Sequence, residues 1–156
     1  MAQYSCLRAA LPSHMQAFGN ALNLDDVVTI TANLTTADSV DLIRIPAGTR
    51  LTDLSFIAGD LDTGVTLTAN IGWRSVSGSA ITVNGASAAA NATAFASAVT
   101  SFQAAQSSGA RNDLAFAPVT FNDDVFITLI PQANGTGISG TPTVTTVAKG
   151  QAVGVK

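Results

Sequence analysis

The choice of charged residues is the feature that most restricts how this chain can fold. All ten acidic residues are aspartate, and only two of the seven basic residues, Lys149 and Lys156, are lysine. Glutamate and lysine usually cover the exposed faces of helices, because they form helix well and stay solvated. Threonine, valine and isoleucine recur instead, and these β-branched side chains favour strands. The sequence therefore predicts an all-β protein.

The low overall charge indicates a surface that other proteins cover. The chain has 156 residues, the size of a single domain, and 11% of them are charged while 47% are hydrophobic. A protein with so little charge repulsion tends to associate. Binding to other protein surfaces therefore explains the composition better than the alternative, a compact threonine-rich monomer.

Charge and hydropathy patterning argue against two classes of partner. The net charge is −3 and the basic residues form no run, which argues against nucleic acid. The most apolar stretches are interrupted by charged residues, glycine or proline, so we expect no membrane-spanning segment. The N-terminus has neither the basic start nor the apolar core of a signal peptide, so we expect synthesis and assembly in a cytoplasm.

The first 24 residues differ from the rest of the chain. They contain its single histidine, its single cysteine, its single tyrosine and both methionines. We interpret residues 1–24 as an N-terminal arm and residues 25–156 as one domain. An arm of this kind packs either on its own domain or on a neighbouring molecule, and both alternatives stay open.

The body of the chain alternates between strand candidates and turns. The candidates are rich in β-branched residues or alternate between apolar and polar residues, and clusters of Asp, Asn, Gly and Pro separate them. They cover residues 27–31, 40–45, 50–57, 65–73, 80–83, 114–121, 125–130 and 141–148. Residues 125–130 are apolar on both faces, which predicts an interior strand. The pattern predicts an antiparallel β-sandwich, with jelly-roll topology as the preferred version.

One segment predicts a helix. Residues 86–105 are rich in Ala and Ser, and Phe95, Val99 and Phe102 recur at the i, i+4, i+7 spacing of one helical face. Because alanine has the highest helix propensity, we expect a helix of about three to four turns, with a linker as the alternative. The segment carries no charge, so we expect the helix to be packed on most sides.

Residues suited to catalysis or metal binding are few and isolated. His14 and Cys6 lie in the arm without a catalytic motif, and a single cysteine forms neither an intrachain disulfide nor a cysteine zinc site. Asp60, Asp62 and Gly64 resemble the start of a calcium loop, but the chain has no glutamate to close it. A solvated turn is the preferred interpretation there, and a looser calcium site is the alternative. We therefore predict no catalytic residue, no cofactor, no metal site and no enzymatic activity.

Two stretches of the body resemble a known family. IRIPAGTRLTDL at 43–54 and GDLDTGVTLTANIG at 59–72 combine an apolar strand, a Pro-Ala-Gly turn, a second strand, an Asp-Leu-Asp turn and an alternating strand. DVFITL at 124–129 and the threonine-rich last strand continue the likeness. This arrangement resembles the head decoration, or cement, proteins of tailed bacteriophages, chiefly over residues 40–73 and 118–148.

The resemblance implies a virion structural protein on the capsid exterior that binds the major capsid protein and forms a dimer or trimer. The alternative is a tail or fibre component, or a receptor-binding module, with an exposed aromatic groove. Beyond the phenylalanines, only Trp73 and Tyr4 are candidates for such a groove, and Trp73 ends an alternating strand and is expected in the core. For the protein interface we expect two groups of residues: Leu7, Leu11, Met15 and Phe18 of the arm, and Phe95, Val99 and Phe102 of the predicted helix.

Overall fold

The fold is built from β-strands, as the β-branched composition predicts. The computed structural model describes residues 3–5, 21–103 and 111–154, and no helix occurs within them. The predicted all-β class is therefore confirmed. The strands are β1 (Gln3–Ser5), β2 (Ala21–Thr29), β3 (Ser39–Ile45), β4 (Thr49–Ala58), β5 (Ala69–Ser75), β6 (Ile81–Val83), β7 (Ala86–Ala88), β8 (Ala90–Val99), β9 (Arg111–Leu114), β10 (Val119–Phe121), β11 (Val125–Pro131) and β12 (Thr143–Ala152).

The strands form two sheets, here called sheet A and sheet B. Sheet A has the order β1-β3-β11-β5-β8, and sheet B has the order β2-β12-β4-β10-β6-β7, with β9 also paired to β4. Among the described strands, β1 with β3 is the one parallel pair. The predicted antiparallel character is therefore confirmed for the body of the protein.

Four antiparallel pairs are nested in sequence. β5 pairs with β8, β4 with β9, β3 with β11, and β2 with β12. Each pair encloses the previous one along the chain, so the body resembles one long hairpin that has been folded over. The pairs alternate between the sheets, since the first and third lie in sheet A and the other two lie in sheet B.

The two sheets share one hydrophobic core. Ile71 and Ile127 from sheet A and Leu54 from sheet B belong to the same cluster of buried side chains. The rings of Trp73 in β5 and Phe121 in β10 meet edge to face, with their centroids 5.8 Å apart. The sheets therefore contact each other through this core, as in a sandwich. The predicted core position of Trp73 is confirmed, because only 3% of it is exposed.

Several strands lie where alternation and turn residues predict them. The first and last residues of β3, β4 and β11 each lie within one residue of the predicted limits. β11 lies between β3 and β5, so its predicted interior position is confirmed. Other boundaries differ from the prediction. The single strand predicted at 114–121 is replaced by the end of β9 and by β10, with residues 115–118 outside both, and β12 continues to Ala152. Two more differences lie in the first half of the chain. β5 begins only at Ala69, and Val65 is exposed outside it; β2 begins at Ala21, within the region predicted as the arm.

The predicted helix in residues 86–105 is wrong. Residues 86–103 are described, and they contain strands β7 and β8. A spacing of four residues between Phe95 and Val99 places two side chains on one face of a strand as well as of a helix, so this part of the pattern is ambiguous. Pairing of β8 with β5 outweighs the helix propensity of alanine, which is a weak preference on its own.

The pairing of β8 with β5 is irregular, because the register shifts along it. Between Ile71 and Trp73 of β5, the paired residue of β8 moves from Ala96 to Asn91, so the intervening residues of β8 form a bulge. Gly72 lies directly beside this bulge. A Cβ atom on Gly72 would lie 2.0 Å from the carbonyl oxygen of Asn91, so only glycine allows the backbone of β8 to come this close.

Candidate interaction surfaces

The region predicted as an arm supplies one edge of each sheet. Residues 3–5 form β1 at the edge of sheet A, and residues 21–24 belong to β2 at the edge of sheet B. Tyr4 is partly buried and packs against the core. The four arm residues predicted at the interface lie outside the described residues. They are Leu7, Leu11, Met15 and Phe18.

The other predicted interface residues lie on or next to β8. Phe95 is 6% exposed and packs edge to face against Phe116, with the ring centroids 4.8 Å apart. Phe102 is fully buried and stacks on Phe56 at a centroid distance of 5.0 Å. Val99 is half-buried at the end of β8. The two rings therefore contact other parts of the same chain, and they fix the position of β8 and the loop that follows it.

The surface of β8 is long and uncharged. Its ten residues are alanine, asparagine, threonine, phenylalanine, serine and valine, and most of them are exposed or half-buried. Among the strands that the structure describes, β8 is the last of sheet A, so one side of its backbone has no neighbour there. Edge strands that lack charged residues are surfaces on which other chains pack or pair, although a bulge limits continuous pairing.

A cleft of about 550 Å³ separates β8 from the β6–β7 hairpin. It is lined by Trp73, Val83, Asn84, Ala86, Ala88, Ala90, Asn91, Ala92, Ala94 and Val119. None of these side chains ionises near neutral pH, so the lining offers apolar contact and two amide groups but no acid or base. The cleft therefore suits contact with another protein better than it suits proton transfer.

Asp62 is the centre of a hydrogen-bond network among loops. Its Oδ1 atom accepts hydrogen bonds from the backbone N–H of Gly64 at 3.2 Å and from the backbone N–H and hydroxyl of Thr136, both at 2.8 Å. Its Oδ2 atom accepts from the backbone N–H of Leu67 at 2.7 Å and from the backbone N–H and hydroxyl of Thr66, at 2.9 and 3.2 Å. One carboxylate thus joins two turns that are distant in sequence.

These contacts keep the Asp62 carboxylate ionised although it is fully buried. Burial alone would raise the pKa of Asp62. The hydrogen bonds from Leu67, Thr136 and Thr66 have the opposite and larger combined effect, so the pKa of Asp62 lies well below its ordinary value. The preferred interpretation of this turn as solvated is therefore wrong for Asp62, because donors from a remote loop cover its carboxylate, whereas Thr63 and Val65 of the same turn are exposed. Each oxygen already accepts at least two hydrogen bonds from within the chain, so a calcium ion would have to displace these donors. Among the described residues, no three potential metal ligands are grouped together.

A second buried carboxylate lies within an ion pair that spans three strands of sheet A. Asp41 in β3 is 1% exposed, and Arg74 in β5 donates to both of its oxygens, from Nε at 2.9 Å and from Nη2 at 2.6 Å. The guanidinium carbon lies 4.7 Å from the ring centroid of Phe126 in the intervening strand β11. The planar side chain of arginine is suited to both contacts, the paired hydrogen bonds and the stacking on the ring.

Arg74→Lys is expected to lower the free energy of unfolding by about 1–2 kcal/mol. Lysine keeps the charge, but it cannot donate two parallel hydrogen bonds to Asp41 or stack a planar group on Phe126. Chemical denaturation measures the change. The matched control is Lys149→Arg at the exposed pair with Asp53, where we expect a change within about 0.5 kcal/mol. Equal losses at the two positions would contradict the importance of the paired geometry.

The described part of the chain has no helix with the length and apolarity needed to cross a bilayer. Neither the models of known protein families nor the sequences of curated proteins show a match to this chain.

The fold is similar to that of chains in two solved phage structures. A chain of the cyanophage Pam1 capsid asymmetric unit is 22% identical, with a TM-score of 0.63, and the alignment covers 91% of this chain and 91% of that chain. A chain of the capsid of Ralstonia phage GP4 is 16% identical, with a TM-score of 0.65 and coverage of 96% of this chain and 98% of that chain. At these identities the similarity shows a shared fold, and it extends over almost the whole of each chain.

Proposed function

We propose that the chain is a non-enzymatic structural protein of a phage virion. The observation that carries this proposal is its similarity in fold to chains from two phage capsids, over at least 91% of each chain. The similarity concerns the whole domain and not a local motif, so it is the overall shape that the chains have in common. The sequence stretches that resemble decoration proteins lie within this shared fold, and they support the same proposal.

Within the virion, the proposed role is that of a decoration, or cement, protein on the capsid exterior. Such a protein binds the major capsid protein through surface contacts, and repeated weak contacts on a lattice add up through avidity. The long uncharged surface of β8 and the low overall charge support this role, because both favour contact with protein surfaces. Neither nucleic acid nor a membrane is part of the proposal, which has assembly take place in the host cytoplasm.

A jelly-roll topology belongs to the same proposal. Jelly rolls have eight antiparallel strands in two sheets and occur in viral capsid proteins. The orders β2-β12-β4-β9 and β3-β11-β5-β8, together with the four nested pairs, support this topology. The β6–β7 hairpin and β10 then extend one sheet, and β1 extends the other.

The non-enzymatic part of the proposal is supported by the roles of the buried carboxylates. Asp62 holds two turns together, and Asp41 joins strands through Arg74. Catalytic carboxylates need access to a substrate, whereas these two carboxylates are almost fully buried and already hydrogen-bonded within the chain. Their chemistry serves the stability of the fold.

The proposed interface combines the arm with the outer surface of β8. The arm contributes the apolar residues Leu7, Leu11, Met15 and Phe18, and β8 contributes Val99 and its exposed neighbours. In this proposal Phe95 and Phe102 support β8 from inside the chain, since their rings pack against Phe116 and Phe56. Copies of the chain associate as a dimer or trimer, which allows one assembly to bridge several capsid subunits.

Cryo-electron microscopy of purified particles, from an infection in which the chain is expressed, tests the proposed function. We expect the two-sheet fold in density on the outer surface of the capsid, in contact with the major capsid protein. The same fold in the tail would overturn the decoration role and favour a tail or fibre component. Particles that lack the chain, as measured by mass spectrometry of the same preparation, would overturn the virion role.

A further inference from the structure

Strand β1 joins sheet A from a part of the sequence remote from its neighbour. It runs parallel to β3, and its middle residue Tyr4 is paired with Val40. Parallel strands need a crossover connection between them, whereas the antiparallel strands of the body need only turns. β1 has three residues, so it is held by few hydrogen bonds and by the packing of Tyr4 against the core. Of the two edge strands of sheet A, β1 and β8, β1 is therefore held less firmly.

The connection from β1 to β2 is longer than the path between these strands. Fifteen residues separate Ser5 from Ala21, and a chain of that length can reach about 50 Å. Cα atoms of the two strands come within 8 Å of each other, and the nine residues of β2 span only about 30 Å. Most connections take about two to six residues, and much longer ones commonly have a function. The surplus length allows β1 to reach the same position on an adjacent molecule.

We propose that β1 of one copy pairs with β3 of a neighbouring copy, so that the oligomer is interlocked by exchange of this strand. The inference rests on the proposed self-association and specifies its contact. Exchange preserves the backbone hydrogen bonds of β1 and the packing of Tyr4, because strand and acceptor site are identical in every copy. Since β1 is short, releasing it from its own molecule costs little free energy, as for other segments held by few contacts.

A second copy of this chain suits the site better than an unrelated partner. Residues 6–20 connect β1 to β2 in the sequence, and Arg8 is the only residue among them that is charged at neutral pH. Apolar residues recur along this segment, and such a composition favours contact with protein over contact with water. They are Leu7, Leu11, Met15 and Phe18. The exchange therefore gives the predicted interface residues of the arm a specific role.

Paired cysteines at the contact between β1 and β3 test the exchange. Cys6→Ser first removes the native thiol. Tyr4→Cys and Val40→Cys are then combined in one chain, because adjacent strands lie at a distance that a disulfide spans. After oxidation of the assembled protein, we expect most of the chain to migrate as covalent dimers or trimers in non-reducing electrophoresis, and as monomer after reduction. Oxidised chains that migrate as monomers with an internal disulfide would overturn the exchange.

A matched control and a second pair complete the experiment. Val27→Cys with Thr145→Cys joins β2 to β12 within one chain, so this control should give internally closed monomers. Gln3→Cys with Ser39→Cys repeats the test at the adjacent register position, because the change at the buried Val40 could impair folding. In both pairs, circular dichroism verifies the fold before oxidation.

Mixing two single-cysteine variants distinguishes exchange of β1 between copies from pairing of β1 with β3 of its own chain. An isotope-labelled chain with Gln3→Cys is refolded together with an unlabelled chain with Ser39→Cys, both in the Cys6→Ser background. A disulfide between labelled Cys and unlabelled Cys, identified by peptide mass spectrometry, requires β1 of one molecule beside β3 of another, and its absence would overturn the exchange. The result is distinct from the test of the proposed function: a chain that exchanges strands but is missing from particles would overturn only the virion role.

Discussion

Asp62→Asn is expected to lower the free energy of unfolding by about 3–5 kcal/mol. The Asp62 carboxylate accepts hydrogen bonds from the backbone N–H groups of Gly64, Thr66, Leu67 and Thr136 and from two hydroxyls. Asparagine has one acceptor oxygen, and its amide nitrogen would point hydrogens at the remaining donors. Each buried N–H left without an acceptor costs about 1–3 kcal/mol, so losing several of them produces a large effect.

Chemical denaturation measures this loss, and Asp60→Asn is the matched control. Asp60 lies in the same turn and accepts one backbone hydrogen bond, from the N–H of Asp62 at 3.1 Å. Its oxygen can be replaced by the amide oxygen of asparagine, so we expect a loss of about 1 kcal/mol or less. Similar losses for the two variants would show that the turn tolerates either carboxylate equally, and they would contradict the role assigned to Asp62.

The same carboxylate makes the stability of the protein fall in acid. The pKa of Asp62 in the folded protein is held below its ordinary value of 3.8, so the unfolded chain binds a proton more readily than the folded chain. The contribution of Asp62 is therefore complete above the ordinary pKa and is lost as the pH falls toward the lower pKa of the folded state. The free energy of unfolding should decrease below about pH 4, and it should decrease less steeply for Asp62→Asn. If the free energy of unfolding falls equally steeply with decreasing pH in the unsubstituted protein and in Asp62→Asn, Asp62 is not the cause of the acid sensitivity.

Gly72→Ala is expected to lower the free energy of unfolding by about 3 kcal/mol or more, and the melting temperature by about 6–12 °C. The added Cβ would lie 2.0 Å from the carbonyl oxygen of Asn91 and 2.5 Å from the carbonyl carbon of Ala92. Both atoms belong to the backbone of β8, so no side-chain rotation relieves the contact. The bulge of β8 must move away from β5, which disrupts the pairing that replaces the predicted helix.

The control for this change is Gly135→Ala. A Cβ there would meet its nearest atom at 3.5 Å, an ordinary van der Waals contact. The substitution restricts the unfolded chain without a clash in the folded one, so we expect stability to be unchanged or higher by up to about 1 kcal/mol. Differential scanning calorimetry of both variants measures the contrast. A small loss at Gly72, similar to the change at Gly135, would contradict the close approach of β8.

Local signals in the sequence are sufficient for the strands whose ends are marked by turns. β3 is followed at once by Pro46-Ala47-Gly48, and β11 is preceded by Asn122-Asp123-Asp124, so both limits could be predicted. The interior position of β11 also follows from the sequence, since apolar residues on both faces need cover on both sides. β8 could not be predicted in the same way. Its alanines favour a helix locally, and only the neighbouring strand β5 makes the extended form more stable.

The surfaces and the buried carboxylates were less accessible to prediction. The sequence indicates the turn around Asp62, but the main partner of Asp62, Thr136, is 74 positions further along the chain, and no local rule connects the two residues. Gly72 carries no sequence signal beyond being a glycine in a strand, which is the usual sign of a bulge or a close backbone approach. Phe102 was predicted at an interface because of its spacing from Phe95. The stacking on Phe56 depends on the tertiary fold.

The nested strand pairs determine when folding of the two sheets can be completed during synthesis. β12 lies between β2 and β4 in sheet B, with Gln151 beside Ala21. Until β12 leaves the ribosome, β2 and β4 have exposed backbone edges that no earlier strand can cover. Contacts between residues so far apart in sequence also form slowly. A newly made chain therefore spends time with open edges among identical chains, and this is the period in which copies can meet before each one has closed.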